Sequence, residues 1–313
     1  MHKALDISAT RDDNAASDDS NHESSPIPLE WTTYTPATPL RRPLRLLSQI
    51  FGDLWKNREL TWILFQRDLK AQFRQSFLGY VWLIIPPLGS ALVWYLLNAQ
   101  KVLNVDTGEV PYAAFVLVGT TLWAAFSATV MAPISTITAN REVLVKLNVC
   151  LEAFILAGFA RVLFNLAVTV AVLFLTLIAM RVGLHWTAIF FPLSAFAFLT
   201  IAFAVGMCIS PLGALYSDIQ NALSPFLAIV MFTAPVVFPL PEASGQSTGV
   251  LATLMAYNPL TPAIALSRDN LFSGSWNWFW LTLIWVGISG LVLLSSFVAL
   301  RVAKPHIIAR MGM

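Results

Sequence analysis

The chain has 313 residues, 57% of them hydrophobic and 12% charged, with a formal net charge of +2 at pH 7. A soluble domain carries about 25% charged residues, so this composition excludes an ordinary water-soluble globular protein. Its two cysteines, Cys150 and Cys208, exclude a disulfide framework and a cysteine-held metal cluster.

Six stretches contain no Asp, Glu, Lys or Arg: 75–100, 110–140, 162–180, 182–217, 219–241 and 270–300. The shortest lies between Arg161 and Arg181, and as a helix rising ~1.5 Å per residue it spans ~28 Å, close to the ~30 Å of a bilayer's hydrocarbon. Only helices and closed barrels satisfy their backbone groups in lipid. The pattern therefore predicts an all-α membrane protein with six transmembrane helices. Too little polar sequence remains for a soluble domain, so any chemistry in water must come from another chain.

In chain order, residues 1–40 are acidic, with Asp6, Asp12, Asp13, Asp18, Asp19, Glu23 and Glu30 against Lys3 and Arg11, and read as a disordered tail. From 41 to 78 the balance inverts into a basic linker and helix. Trp62, Phe65, Leu69 and Phe73 recur at helical spacing, with Arg67, Lys70 and Arg74 on a flanking strip. Aromatic residues beside snorkelling basic ones predict an amphipathic helix in the membrane interface, facing anionic lipid headgroups.

A six-span domain follows over 79–304. Span 1 is predicted at about 80–98, with a broken start at Pro86-Pro87, and span 2 at about 112–132. The stretch 134–152 is amphiphilic and carries Asn140, Arg141, Glu142, Leu144, Lys146 and Glu152. Glu142 and Lys146 stand i, i+4 in the favourable order. Span 3 covers about 155–180, with Arg161 in its first turns, either snorkelling to headgroups or contacting the pyrophosphate of a lipid at an inner entrance. Span 4 covers about 187–210, and Pro211 and Gly213 are expected to begin a tight connection to span 5 at about 220–238.

The linker 239–275 is too apolar for an ordinary loop. Asn258-Pro259 interrupts it, and Thr261-Pro262 reads as an N-cap with proline at the first helical position. Two short helices meeting near Asn258 would then dip into the outer leaflet without crossing. Span 6 is expected at about 277–300, opened by an aromatic belt of Trp276, Trp278 and Trp280, and residues 305–313 form a C-terminal tail. Six spans place both termini on one side, and that side receives thirteen Lys and Arg against three on the other. The termini are therefore expected in the cytoplasm.

No G-x-x-x-x-G-K-[ST] phosphate loop and no H-E-x-x-H occur, and the four histidines are scattered through tails and a loop. No catalytic residue and no metal site are predicted. The spans also lack the ladder of carboxylates that ion-driven carriers place at the midplane, so energy is expected to arrive from a partner that hydrolyses ATP. Trp82, Trp94, Tyr95, Trp123 and Phe126 on spans 1 and 2 are candidates for a sugar path, because aromatic faces grip pyranose rings without strict hydrogen-bond geometry. Core packing is the alternative for each.

Arg67-Asp68-Leu69-Lys70, the run Gln75-Ser76-Phe77-Leu78-Gly79-Tyr80-Val81-Trp82, Pro86-Pro87, Asn140 with Leu144 and Lys146, and Asn258-Pro259-Leu260 followed by Arg268-Asp269 stand in fixed order around the six spans. In this the chain resembles the membrane subunits of type-2 ABC exporters, above all the permeases of O-antigen, capsule or teichoic-acid polymers. The resemblance covers about 55–305. It departs at Val149-Cys150-Leu151-Glu152, where only the Glu matches, and at Ser217, where an Arg is common before Asp218.

The resemblance implies an inner-membrane permease that is not itself an enzyme. It implies a homodimer bound to two copies of a separate ATPase, which holds ATP and Mg, and it involves no nucleic acid. It assigns ATPase coupling to the segment 134–150 with Asn140, Arg141, Glu142, Leu144 and Lys146, together with Glu152, and an outer gate to the paired helices carrying Asn258, Pro259, Arg268 and Asp269. It makes an undecaprenyl-diphosphate-linked polysaccharide the cargo. An exporter of a small lipophilic drug or lipid is the alternative.

Overall fold

Residues 52, 55–74, 79–83, 85–100, 110–146, 150–239 and 249–311 are described by the computed structural model. The acidic tail expected at 1–40, the run 75–78 and the start of the outer linker at 240–248 lie outside the described residues. Among the described residues there is no strand, and ten α-helices follow one another. They are α1 (Arg58–Phe73), α2 (Ile85–Ala99), α3 (Tyr112–Ala139), α4 (Arg141–Lys146), α5 (Leu151–Ala179), α6 (Phe191–Leu215), α7 (Ser217–Val230), α8 (Val250–Tyr257), α9 (Thr261–Phe272) and α10 (Asn277–Met311). Short 3-10 turns occupy Gly79–Leu83, Trp186–Phe190 and Met231–Thr233.

Four helical stretches are long and apolar enough to cross a membrane: Tyr112–Ala139, Leu151–Ala179, Trp186–Leu215 and Asn277–Lys304. They coincide with expected spans 2, 3, 4 and 6. The other two expected spans fall on α2 and α7, of 15 and 14 residues. At ~1.5 Å per residue each covers only ~20 Å by itself. Proline and glycine explain both. Gly79 takes a positive φ of 51° before α2, and α2 restarts at Ile85 directly ahead of Pro86, where a missing N–H costs no helical bond. Helix α7 carries Pro225 internally and loosens into its 3-10 turn at Met231.

Three boundaries differ from expectation, the first at the last helix: α10, expected to end near 300 before a tail at 305–313, runs on to Met311. Helix α3 runs on to Ala139 through Pro133. Helix α6 runs through Pro211 to Leu215, where a tight connection was expected. Pro211 cannot bond the carbonyl four residues back, but the Ser210 hydroxyl donates to that Met207 oxygen at 2.9 Å, so the backbone stays satisfied. Other hydroxyls do the same inside the helices: Thr120 to Val116, Thr129 to Ala125 and Thr200 to Phe196. A polar side chain turned back on its own helix is the form that lipid tolerates.

The core is the pair α3 and α6, with α10 packed on α6, α5 and α2 on α3, and α1 along α5. Phe126 of α3 stacks on Phe198 of α6 at 4.8 Å between ring centroids. Close approach needs Gly206: a Cβ there would collide with the Val130 carbonyl of α3, the small-residue contact of membrane helices. The outside is apolar too. Trp280, Ile284, Ile288 and Leu291 repeat along one exposed face of α10, and Leu175 and Ile178 are exposed on α5. A soluble bundle would place charge there.

Candidate functional site

Helix α3 separates two polar regions. Phe115 at one end and Asn140 at the other are ~38 Å apart along the helix, enough to span a bilayer.

At the Asn140 end, α1 is fastened to the α3–α4 junction. The Arg67 guanidinium donates to Asp68 Oδ1 at 2.9 and 2.8 Å and to Asn140 Oδ1 at 2.9 Å. Asn140 is buried, and its Nδ2 donates to the Thr136 carbonyl at 2.8 Å, which fixes the amide orientation. Phe65 meets Phe164 of α5 edge-on at 6.4 Å, and Leu64 is buried beside it. The predicted apolar stripe is thus split: Phe65 faces protein, Trp62 is exposed, and the Phe73 side chain lies outside the described residues. Behind the Arg67 contact opens a cavity of about 480 Å³ lined by Arg67, Asp68, Gln72, Ser135, Asn140 and Arg161. Two guanidinium groups share it with one carboxylate, which Arg67 already engages. The arrangement suits an anion with several acceptor oxygens. Lys70 and Arg74 are exposed and lie outside the lining.

Helix α4 follows Asn140 directly. Leu144 is buried and anchors it, while Arg141, Glu142 and Lys146 are exposed. The expected Glu142–Lys146 pair is present at 3.6 Å on the surface. Glu152, in the first turn of α5, is 5% exposed, and its Oε2 accepts from Lys304 Nζ at 3.0 Å and from Cys150 Sγ at 3.2 Å. Burial, then the Glu152 carboxylate, push the Cys150 thiol up, so the sulfur is a protonated donor.

The aromatic candidates separate. Trp123 and Phe126 are 4% and 3% exposed, stacked at 5.1 Å in the α3–α6 core. They are packing residues in this conformation. Trp94 meets Phe232 and Phe238 edge-on at 6.3 and 6.2 Å. Trp82 and Tyr95 are exposed. Trp82 walls a cavity of about 190 Å³ with Pro86, Thr121, Asn165 and Thr169.

At the opposite end, α8 and α9 meet at Asn258-Pro259-Leu260. Asn258 Oδ1 accepts from the Leu260 N–H at 2.9 Å, an Asx turn, and its Nδ2 donates to the carbonyl and hydroxyl of Thr233. Pro259 is exposed at the tip. Thr261 does not cap α9, whose N-cap position is Leu260; its hydroxyl instead donates to the Met255 carbonyl at 2.7 Å and ties the two helices together. Arg268, 5% exposed, donates to the carbonyls of Pro235, Val236 and Phe115 and lies over the Phe115 ring at 3.6 Å. It pins the helix pair to α3 and to the segment after α7. Gly119 makes room, since a Cβ there would strike the Arg268 guanidinium and the Val236 carbonyl. Asp269 is half-buried.

Lys304 as the partner of Glu152 and the carbonyl clamp of Arg268 escaped the sequence. The only hint to the second was a lone Arg at the end of an uncharged run from 243 to 267.

The profile of the ABC-2 type transporter family matches residues 59–272, from α1 through α9. The O-antigen export system permease protein RfbA of Myxococcus xanthus is 27% identical over 212 residues, 68% of this chain and 80% of that protein. An RfbA of the same description from Klebsiella pneumoniae is 24% identical over 240 residues, 75% of this chain and 88% of its own length. Another from Klebsiella pneumoniae is 23% identical over 233 residues, 73% and 86% of the two chains.

Proposed function

From the premise that this chain belongs to the ABC-2 type transporter family, we propose that it is the membrane-spanning permease subunit of an ABC exporter that moves a polysaccharide of the O-antigen kind. The single observation that carries this is the match from interface helix to outer helix pair, shared with relatives named for O-antigen export. The chain is then a transporter subunit, and ATP and Mg belong to a separate ATPase chain.

The finer reading builds on the geometry. The Gly79–Leu83 turn with α2, and α7 with its turn to Thr233, complete six crossings with the four long helices, covering ~33 and ~27 Å when the 3-10 turns are counted. Two copies of the chain pair in the bacterial inner membrane with both termini in the cytoplasm, and two ATPase copies dock below. Exposed Arg141, Glu142 and Lys146 on α4 receive them, with buried Leu144 carrying the motion inward. Lys70 and Arg74 draw an anionic lipid to the membrane surface. The pyrophosphate of an undecaprenyl-diphosphate-linked polymer enters the Arg67–Arg161 cavity, while Asn140 holds Arg67 in place. Trp82 and Tyr95 offer sugar a sliding contact. The α8–α9 pair forms the outer gate, with Asn258 and Arg268 as its fastenings.

The test is depletion of the chain in its host, followed by staining of the surface polymer. Loss of surface polysaccharide with lipid-linked polymer accumulating inside is expected. Unchanged surface polymer overturns the proposal, and loss of a small lipid or drug efflux in its place selects the alternative cargo.

A further inference from the structure

Helix α10 is longer than a crossing requires. Its 35 residues rise ~52 Å against a hydrocarbon thickness of ~30 Å, and the excess carries Arg301 and Lys304 past the last apolar turns. There α10 touches α4, the short helix with the exposed Arg141, Glu142 and Lys146. Lys304 reaches across to Glu152 in the first turn of α5, the helix that follows α4 in the chain. The pair is sheltered: the side chains are 25% and 6% exposed. The same carboxylate oxygen takes the Cys150 S–H, so Glu152 is held from its own helix start and from α10 at once. Such an ion pair is an unusual expense for a fold that a hydrophobic contact would hold equally well. A two-ended tie at a moving joint is a physical reason to keep it.

We propose that Lys304 is a positioning residue that locks the end of α10 to Glu152, so that a push on α4 moves α5 and α10 as one lever. Helix α5 is joined to α4 by the chain. Helix α10 is far from α4 and α5 along the chain, and the Glu152–Lys304 ion pair ties it to the start of α5. Because α10 packs along α6, and α6 on α3, the push then reaches the core pair from both sides. This rests on the reading of α4 as the segment that receives an ATPase.

The experiment uses the full chain reconstituted with its ATPase in vesicles, reading polymer moved per ATP hydrolysed. Lys304→Met is expected to let ATP hydrolysis continue while polymer moved per ATP falls about tenfold, the size of an ordinary coupling free energy. Lys304→Arg should restore it, since the charge and reach return. Because Lys304→Met leaves the buried Glu152 without its counter-charge, the double variant Glu152→Gln/Lys304→Met is the deciding one: it leaves no lone charge and should remain uncoupled. Wild-type yield per ATP from the double variant overturns the proposal. A second measurement needs no loss of the pair: spin labels at Ala160 of α5 and Val302 of α10 should keep their separation through the nucleotide cycle, and a separation that changes with nucleotide also overturns it. If the unaltered complex moves no polymer, the reading of the protein as a polysaccharide permease fails first. If it does move polymer and the double variant matches it, only the Lys304 inference fails.

Discussion

Single residues in this chain do opposite work with the same chemistry. Arg67 and Arg161 line a roomy cavity, whereas Arg268 is spent on three carbonyls and an aromatic face. Removing one donor from the cavity should therefore weaken binding without unfolding the protein. Arg161→Gln is expected to lower affinity for a diphosphate lipid analogue about tenfold or more, as loss of a charge-assisted contact worth ~1.5–3 kcal/mol implies. A binding titration in detergent checks it, with the thermal midpoint unchanged. Arg268→Leu should do the reverse. Stranding the buried Pro235 and Val236 carbonyls costs about 2 kcal/mol or more, so the thermal midpoint should drop, and Gly119→Ala should reproduce part of that drop by pushing the guanidinium away. Cys150 gives a simpler readout. Its thiol is raised by burial and by the Glu152 carboxylate, so it should alkylate slowly at neutral pH, and Lys304→Met should slow it further by removing the nearby cation.

At the level of elements, α4 is the part whose surface and anchor can be separated. Exchanging Glu142 and Lys146 for their opposite charges keeps the exposed pair, which adds little to stability, but reverses what α4 presents. The expected result is a normally folded chain that co-purifies with less ATPase and exports less polymer. Unchanged binding and export would remove α4 from the coupling role. The same scale explains what the sequence could disclose. Hydropathy and proline placement are local, so α3, α5, α6, α10 and the helix pair around Asn258 could be read directly, though Thr261 reads falsely as the cap of α9. Pro211 misled because its cost is cancelled by Ser210, a compensation within one turn that no periodicity reveals. Trp123 and Phe126 looked available for sugar because aromatic residues in a span serve packing and binding alike, and only the stacking on Phe198 distinguishes them. The Glu152–Lys304 tie joins positions 152 residues apart, where a single sequence carries no signal of contact.

At the largest scale, the described helices form an inside-out bundle: stacked rings and hydroxyls turned back on their own helices within, apolar faces without, and arginines fastened at both ends of α3. The chain carries no phosphate loop, so the energy for any motion has to come from a partner. Its orientation can be checked simply. A cytoplasmic reporter fused after Met313 should be active, and one active only outside the cytoplasm should work when inserted near Gly245. The decisive measurement is ATP-dependent transfer in sealed inverted vesicles containing this chain, its ATPase and a lipid-linked polysaccharide. A permease of the kind inferred here should carry polymer into the lumen only when ATP and the ATPase are both present. Polymer that enters without the ATPase, or that stays outside when all components are supplied, would contradict it.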